Sequence, residues 1–126
     1  MSKQTLQILQ QDFTIHSLDS DAGIPACVLN SDIFFIAKTA EELSIVCPSH
    51  VSVQSFAAEP YWRAIEIIGP LGFSLTGIMS NISGVLAAAN VSIFSISTYD
   101  TDYILVKEQQ LTNAIQALKK DGYLFV

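Results

Sequence analysis

The feature that most constrains this chain is a regular switching of hydrophobic period across residues 61–126. "YWRAIEIIG" (61–69) has the β-branched and aromatic content of a buried strand and stops at the breaker pair Gly69–Pro70. In "TGIMSNISGVLAAAN" (76–90) the period lengthens. Ile78, Ile82, Val85, Leu86 and Ala89 recur at helical spacing, with Ser74 or Thr76 available as N-cap and Asn90 as stop. "VSIFSIST" and "DYILVK" then read as two strands joined by a tip at Tyr99–Thr101. "EQQLTNAIQALKKDG" (108–122) is an amphipathic helix that turns Leu111, Ala114, Ile115 and Leu118 inward and is closed by Gly122. "YLFV" ends the chain as a strand.

The resulting order, β-α-β-β-α-β, is that of the ferredoxin-like split βαβ unit, an α+β fold. The first half resembles the second at an offset of sixty residues. Asn30, Ile33, Phe34, Ile36 and Val46 match Asn90, Ile93, Phe94, Ile96 and Val106. Two copies suit a duplicated small module rather than a solenoid. We therefore expect two ferredoxin-like modules, residues 1–61 and 62–126, the first divergent. In it "LQILQQDFTIHSLD" is a long strand region, "IPACVLN" a short helical piece, "DIFFIAK" and "ELSIVC" strands, and "SHVSVQSFAAE" an ambiguous connector. This copy reads either as degraded or as built with exchanged elements, its missing last strand then coming from the other copy.

Composition narrows the function. Twelve acids against six bases give a net charge of −6, which repels phosphate backbones and anionic membranes, so neither nucleic acid nor membrane is an expected partner. No apolar run approaches the roughly 20 residues of a membrane span. Gln4, Gln7, Gln10 and Gln11 interrupt any signal-peptide core, so a soluble cytoplasmic protein is expected. Cys27 and Cys47 sit in apolar surroundings and read as core thiols rather than a disulfide.

Catalytic constellations are missing. His16 and His50 have no regularly spaced companion, the cysteines lack the Cys-x-x-Cys spacing of a metal carrier, and there is no phosphate loop. No Ser–His pair reads as a nucleophile with its base. Arg63, the only arginine, reads as a solvated edge residue, and Trp62 as a core or interface anchor. The expectation is a protein that is not an enzyme, with no catalytic residue, metal or cofactor.

Three segments, "GPLGFSLTGI", "LAAANVSIFSIST" and "STYDTDYILVKE", resemble an ACT domain of the aspartokinase regulatory type. They resemble more closely still the small tandem-ACT proteins related to eukaryotic cytosolic arginine sensors. "AEELSIVCP" and "WRAIEIIGPL" extend the likeness to nearly the whole chain, with greatest specificity from residue 62 to 120. The resemblance implies an amino-acid-binding regulatory or sensor protein with its ligand at an interface between ACT modules. It also implies allosteric control of a protein partner; from the apolar composition of so small a chain we expect a homodimer. Matched by position, the ligand site is Gly72, Phe73, Ser74, Thr76, Gly77 and Ile78 in the loop entering the helix, and Ser97, Thr98, Tyr99 and Asp102 after the second strand. Where arginine-sensing relatives carry an acid in that loop, this chain has Leu75, so arginine does not follow as the ligand.

Physical chemistry is compatible with such a site. A helix starting near Thr76 offers unpartnered amides and the positive end of its dipole to a carboxylate. The Asp102 carboxylate and the Thr98 hydroxyl would receive an α-ammonium, and Tyr99 would form an apolar wall. The plainer reading of Asp100-x-Asp102 is a solvated hairpin tip. Asp100, at the tip itself, is assigned to that reading, and Asp102, at the root of the next strand, to the ligand. At the sixty-residue offset Glu42 falls opposite Asp102 and Lys38 opposite Thr98. The alternatives are an interaction module without a competent site and, further off, a small ferredoxin-like enzyme. An acylphosphatase-like site would need an arginine that the phosphate-binding loop here lacks. An RNA-binding module would need exposed aromatics on a basic sheet.

Overall fold

The computed structural model describes residues 3–69 and 75–126. In chain order the elements are β1 (Thr5–Leu18), α1 (Ala26–Leu29), β2 (Phe35–Lys38), β3 (Leu43–Pro48), β4 (Ala57–Gly69), α2 (Leu75–Ala88), β5 (Ile93–Ser97), β6 (Asp102–Lys107), α3 (Leu111–Lys120) and β7 (Leu124–Phe125). A short 3-10 turn, Glu108–Gln110, leads into α3. The chain divides into two compact units. A framing unit contains Met1–Gln10 and Arg63–Val126, and an inserted unit contains Gln11–Trp62. The long strands β1 and β4 each contribute residues to both.

In the framing unit β4, α2, β5, β6, α3 and β7 follow one another in the order read from sequence, an α+β ferredoxin-like arrangement. The hydrogen-bonded path runs β1-β4-β6-β5, and β7 pairs in parallel with the outer side of β1 through Thr5↔Leu124 and Leu6↔Phe125. The place beside β4 that the unit's own last strand would fill is therefore taken by the start of β1. Ile65 and Ile67 of β4, Ile104 and Val106 of β6, and Leu6 of β1 form the floor of one core. Ile78, Ile82 and Leu86 descend from α2, and Ala114 and Leu118 from α3. The two spacings, 78-82-86 and 114-118, are one helical face each, and each large aliphatic buried there contributes about 1.5–3 kcal/mol.

Both helices stop in the same way. Asn90 (φ 61°) and Gly122 (φ 102°) take the left-handed conformation one residue past the helix cap. The amides of the residues that follow turn back: Val91 N–H to Leu86 O at 2.9 Å and Tyr123 N–H to Leu118 O at 3.0 Å. Each pair so joined, Leu86–Val91 and Leu118–Tyr123, is buried in the core, the hydrophobic contact that accompanies a Schellman end. Beyond α3, Asp121 Oδ2 accepts from Asn81 Nδ2 at 3.1 Å and lies 3.3 Å from Lys3 Nζ. The Asn81 hydrogen bond, and then Lys3, hold the Asp121 carboxyl below its ordinary value.

The inserted unit runs β2-β3-β1, all antiparallel. Leu18↔Leu43, His16↔Ile45 and Thr14↔Cys47 are opposite pairs, so these residues share one face of the sheet. Leu18, Leu43, Ile45 and Cys47 meet Val28 of α1 there to form a second, smaller core. The connector 49–56, which has neither helix nor strand, adds Val51 and Val53 to it.

Two expectations about single residues change. Cys47 is buried as expected, but Cys27 is exposed, because α1 turns only Val28 inward, and its thiol donates to Ser52 O at 3.3 Å. Arg63 is not a solvated edge residue: it is half-buried, and its guanidinium donates to Leu9 O at 3.0 Å.

Candidate functional site

The β5–β6 hairpin carries the post-strand half of the expected site. Its ladder ends at the pair Ser97↔Asp102, and the four residues between them form a turn closed by Thr98 N–H donating to Thr101 O at 2.8 Å. The Thr98 hydroxyl accepts from Thr101 N–H at 3.0 Å and is hydrogen-bonded to the Thr101 hydroxyl. Thr98 thus stitches its own turn, with Thr101 as a partner that residue type alone did not signal. Tyr99 is fully exposed at the tip, and Asp100 and Ser97 are exposed as well.

Asp102 is different. Alternation along β6 places it on the face that carries Ile104 and Val106 into the core. It is half-buried, and its Oδ1 is enclosed without a hydrogen-bond partner. A carboxylate oxygen so placed is under-satisfied and favours a donor.

The loop half of the site is described in part. Gly72, Phe73 and Ser74 lie outside the described residues, as does the side chain of Thr76. α2 begins at Leu75, which puts Thr76, Gly77 and Ile78 in its first turn, at the positive end of the helix dipole. Ile78 sends its side chain into the core, which leaves its backbone for any ligand contact, whereas Gly77 is exposed. Gly77, Ser80, Asn81, Gly84, Val85 and Ala88 border an open depression of about 610 Å³ along α2. In the ferredoxin-like connection β5 returns parallel to β4. The start of α2 and the β5–β6 turn therefore lie at the same end of the sheet.

The β2–β3 hairpin of the inserted unit has the same construction, in a register the sequence comparison misplaced. Its ladder ends at Lys38↔Leu43, and Thr39 closes the turn, its N–H donating to Glu42 O at 2.9 Å and its hydroxyl accepting from Glu42 N–H at 3.1 Å. Thr39 therefore corresponds to Thr98, Glu42 to Thr101 and Leu43 to Asp102, one residue short of the sixty-residue offset. Leu43, not an acid, stands at the position of Asp102, and it is 2% exposed in the smaller core. The same unit has an acidic hollow of about 360 Å³ bordered by Ser17, Asp19, Thr39, Glu41, Glu42 and the exposed ring of Phe56. The adjacent acids behind Thr39 were its only trace in the sequence. Among the described residues no three His, Cys, Asp or Glu side chains are grouped to hold a metal, and no helix is long and apolar enough to cross a membrane.

Comparison with known proteins follows the same division. An ACT-domain family model matches residues 57–120, just over half of the chain, and a second model, that of an N-terminal domain, matches residues 11–52. The human protein named cytosolic arginine sensor for mTORC1 subunit 1 is 35% identical over 118 residues, covering 86% of this chain and 36% of its own. Its mouse counterpart is 39% identical over 118 residues, covering 86% of this chain and 35% of its own. This chain thus spans about a third of the length of these curated relatives, which are named as sensors and not as enzymes. A crystal structure of an Agobacterium tumefaciens protein superposes with a TM-score of 0.91 at 29% identity, covering all of this chain and 94% of that one. The aspartate kinase of Clostridium acetobutylicum, at 14% identity, shares the fold with a TM-score of 0.68 over 91% of this chain and 34% of its own.

Proposed function

The chain belongs to the ACT-domain family, and from that premise we propose that it is a cytosolic regulatory protein that binds a free amino acid. In this reading it comprises two ACT modules, the first divergent. The ligand sits at an interface between ACT modules that a homodimer completes. The first turn of α2 receives its α-carboxylate and Asp102 its α-ammonium, and occupancy is passed to a protein partner by differential affinity for two states. The observation that carries the reading is the enclosed, unpaired Oδ1 of Asp102, an acceptor waiting for a charged donor. The sensor names of the curated relatives support the ligand class, and Leu75 argues against transferring arginine itself.

A thermal-shift screen against the twenty amino acids tests this. A ligand at a hundred times its Kd adds about 2.7 kcal/mol to stability, which raises the melting temperature by several degrees. No stabilisation by any of the twenty would favour the second reading, an interaction module without a competent site. One observation speaks for that alternative: the Thr98 hydroxyl is already engaged by its own turn. The homodimer rests on β5, which ends the hydrogen-bonded path with Ile93–Ser97 and carries no charge to discourage pairing. Sedimentation giving only monomer at micromolar concentration would remove it.

A further inference from the structure

The inserted unit buries a histidine that the proposed function does not use. His16 lies on β1 between Thr14 and Leu18 on the core-facing side and is 6% exposed. Its Nδ1 is 2.9 Å from Ser55 Oγ, and its Nε2 is buried with no hydrogen-bond partner. Ser55 belongs to the connector 49–56, which crosses this face without a helix or strand of its own. The connector is tied down at both ends. Ser49 bonds to β1 through its hydroxyl on Thr14 (2.8 Å) and its amide on Asp12 O (3.0 Å), and Phe56 N–H donates to Ser17 O at 2.8 Å. Between these ties, among the described residues, it is held by one backbone bond, Val51 N–H to Pro48 O at 3.0 Å, by the His16–Ser55 bond and the Cys27–Ser52 contact, and by the half-buried Val51 and Val53.

We propose that His16 makes the connector 49–56 an acid-released latch, closed over the neutral imidazole and opened when the ring takes a second proton. A neutral ring serves Ser55 with one nitrogen and leaves the other unpaired, a tolerable state. The imidazolium has two N–H donors and a positive charge, and Nε2 faces no acceptor. On the His16 side of this sheet the strands carry Asp12 on β1, Lys38 on β2 and Cys47 on β3, with Cys27 on α1 and His50 on the connector, and the ring's one hydrogen bond among the described residues is to Ser55. Among the described residues no carboxylate is hydrogen-bonded to the ring to stabilise the charge in place. Burial accordingly holds the ring below its ordinary value of 6.5. The closed form loses stability as pH falls below 6.5, since the open form binds the proton first, and the open population rises by up to about tenfold per pH unit until the closed form also titrates. The piece that yields is the one with the fewest backbone hydrogen bonds, the connector.

Amide exchange of the full chain between pH 7.5 and 5, corrected for intrinsic rates, with the His16 ring followed by NMR over the same range, tests the latch. The expected result is loss of protection in 49–56 ahead of the neighbouring strands β1 and β3, tracking the His16 titration. Unchanged protection of 49–56 while His16 charges would overturn it. His16→Gln, which cannot charge, should abolish the acid opening, and opening that persists in this variant also overturns the proposal. Should His16→Gln not fold, Ser55→Ala keeps the imidazole and weakens only the closed form, so its opening should move to higher pH. An unmoved midpoint there counts against the latch.

Discussion

The two β-hairpins of this chain share one construction and put it to opposite uses. Each ends its ladder four residues before the next strand resumes, and each closes the turn with a threonine whose amide donates across it and whose hydroxyl accepts from the far side. They part at the first ladder residue of the returning strand. In the inserted unit that residue is Leu43, sealed in a core, and in the framing unit it is Asp102, with one oxygen enclosed and unpaired. The same backbone position serves packing in one unit and presents an unsatisfied acceptor in the other. Turn chemistry thus sets where a side chain points, and the side chain alone decides whether the spot is a core or a candidate site.

Exchanging the two residues gives the largest effect. Leu43→Asp should destabilise the protein by about 3 kcal/mol or more in urea unfolding, since it loses a buried aliphatic and buries a carboxylate without partners. Asp102→Leu should leave stability unchanged or raised, because it removes an unsatisfied oxygen, while abolishing ligand stabilisation. Equal losses from the two would mean that the positions do not differ as described.

Next comes Asp102→Asn, which keeps the shape and removes the charge. Its affinity for the best ligand of the screen should fall by about 1.5–3 kcal/mol, roughly ten- to a hundred-fold, by calorimetric titration. Asp100→Asn at the exposed tip should leave affinity unchanged, and a larger effect there would mean the wrong aspartate was chosen. Thr39→Ala and Thr98→Ala should each lower stability by about 0.5–1.5 kcal/mol through the lost turn bond. If Thr98→Ala also weakens ligand binding, the hydroxyl does more than its counterpart, and the likeness of the hairpins ends at the turn.

The smallest effect belongs to Asp121. Its folded value is depressed, so its contribution is present above the ordinary 3.8 and is lost as pH falls through the folded value. Unfolding midpoints of wild type and Asp121→Asn should therefore differ above 3.8 and converge in stronger acid.

Much of the fold was legible in the residues. The change of period at Gly69–Pro70 and the caps Asn90 and Gly122 gave the element order of the framing unit, because helix ends and strand breaks are local chemistry. The register between hairpins was not legible. Aligning Ile33 with Ile93 and Val46 with Val106 maximised identities, whereas the true correspondence is set by the turns, and a one-residue slip exchanges the faces of a strand. That slip set Glu42 opposite Asp102, where the ladder sets Leu43. The position of Asp102 at a strand root was legible, but not its direction: the sequence turned it toward a neighbouring module, whereas alternation along β6 sets it on the face of Ile104 and Val106. The engagement of Thr98 was hidden, because a threonine near a turn reads the same whether its hydroxyl faces a ligand or its own backbone. The place of residues 5–10 was hidden too, since strand pairing between distant segments leaves no local signature.

That last pairing bears on how the protein reaches its native state. Val126 N–H donates to Leu6 O at 2.9 Å, and β7 lies along the start of β1, so contacts that complete the framing unit join segments separated by nearly the whole chain. Contacts of such long sequence separation carry a large loop-closure entropy and slow the search for the native topology. The inserted unit closes on shorter loops and can assemble while the ends are still apart. The expected order is the insert first and the pairing of β1 with β7 last, and pulse-labelled amide exchange during refolding checks it, with β3 protected before the Val126 amide that bonds to Leu6 O.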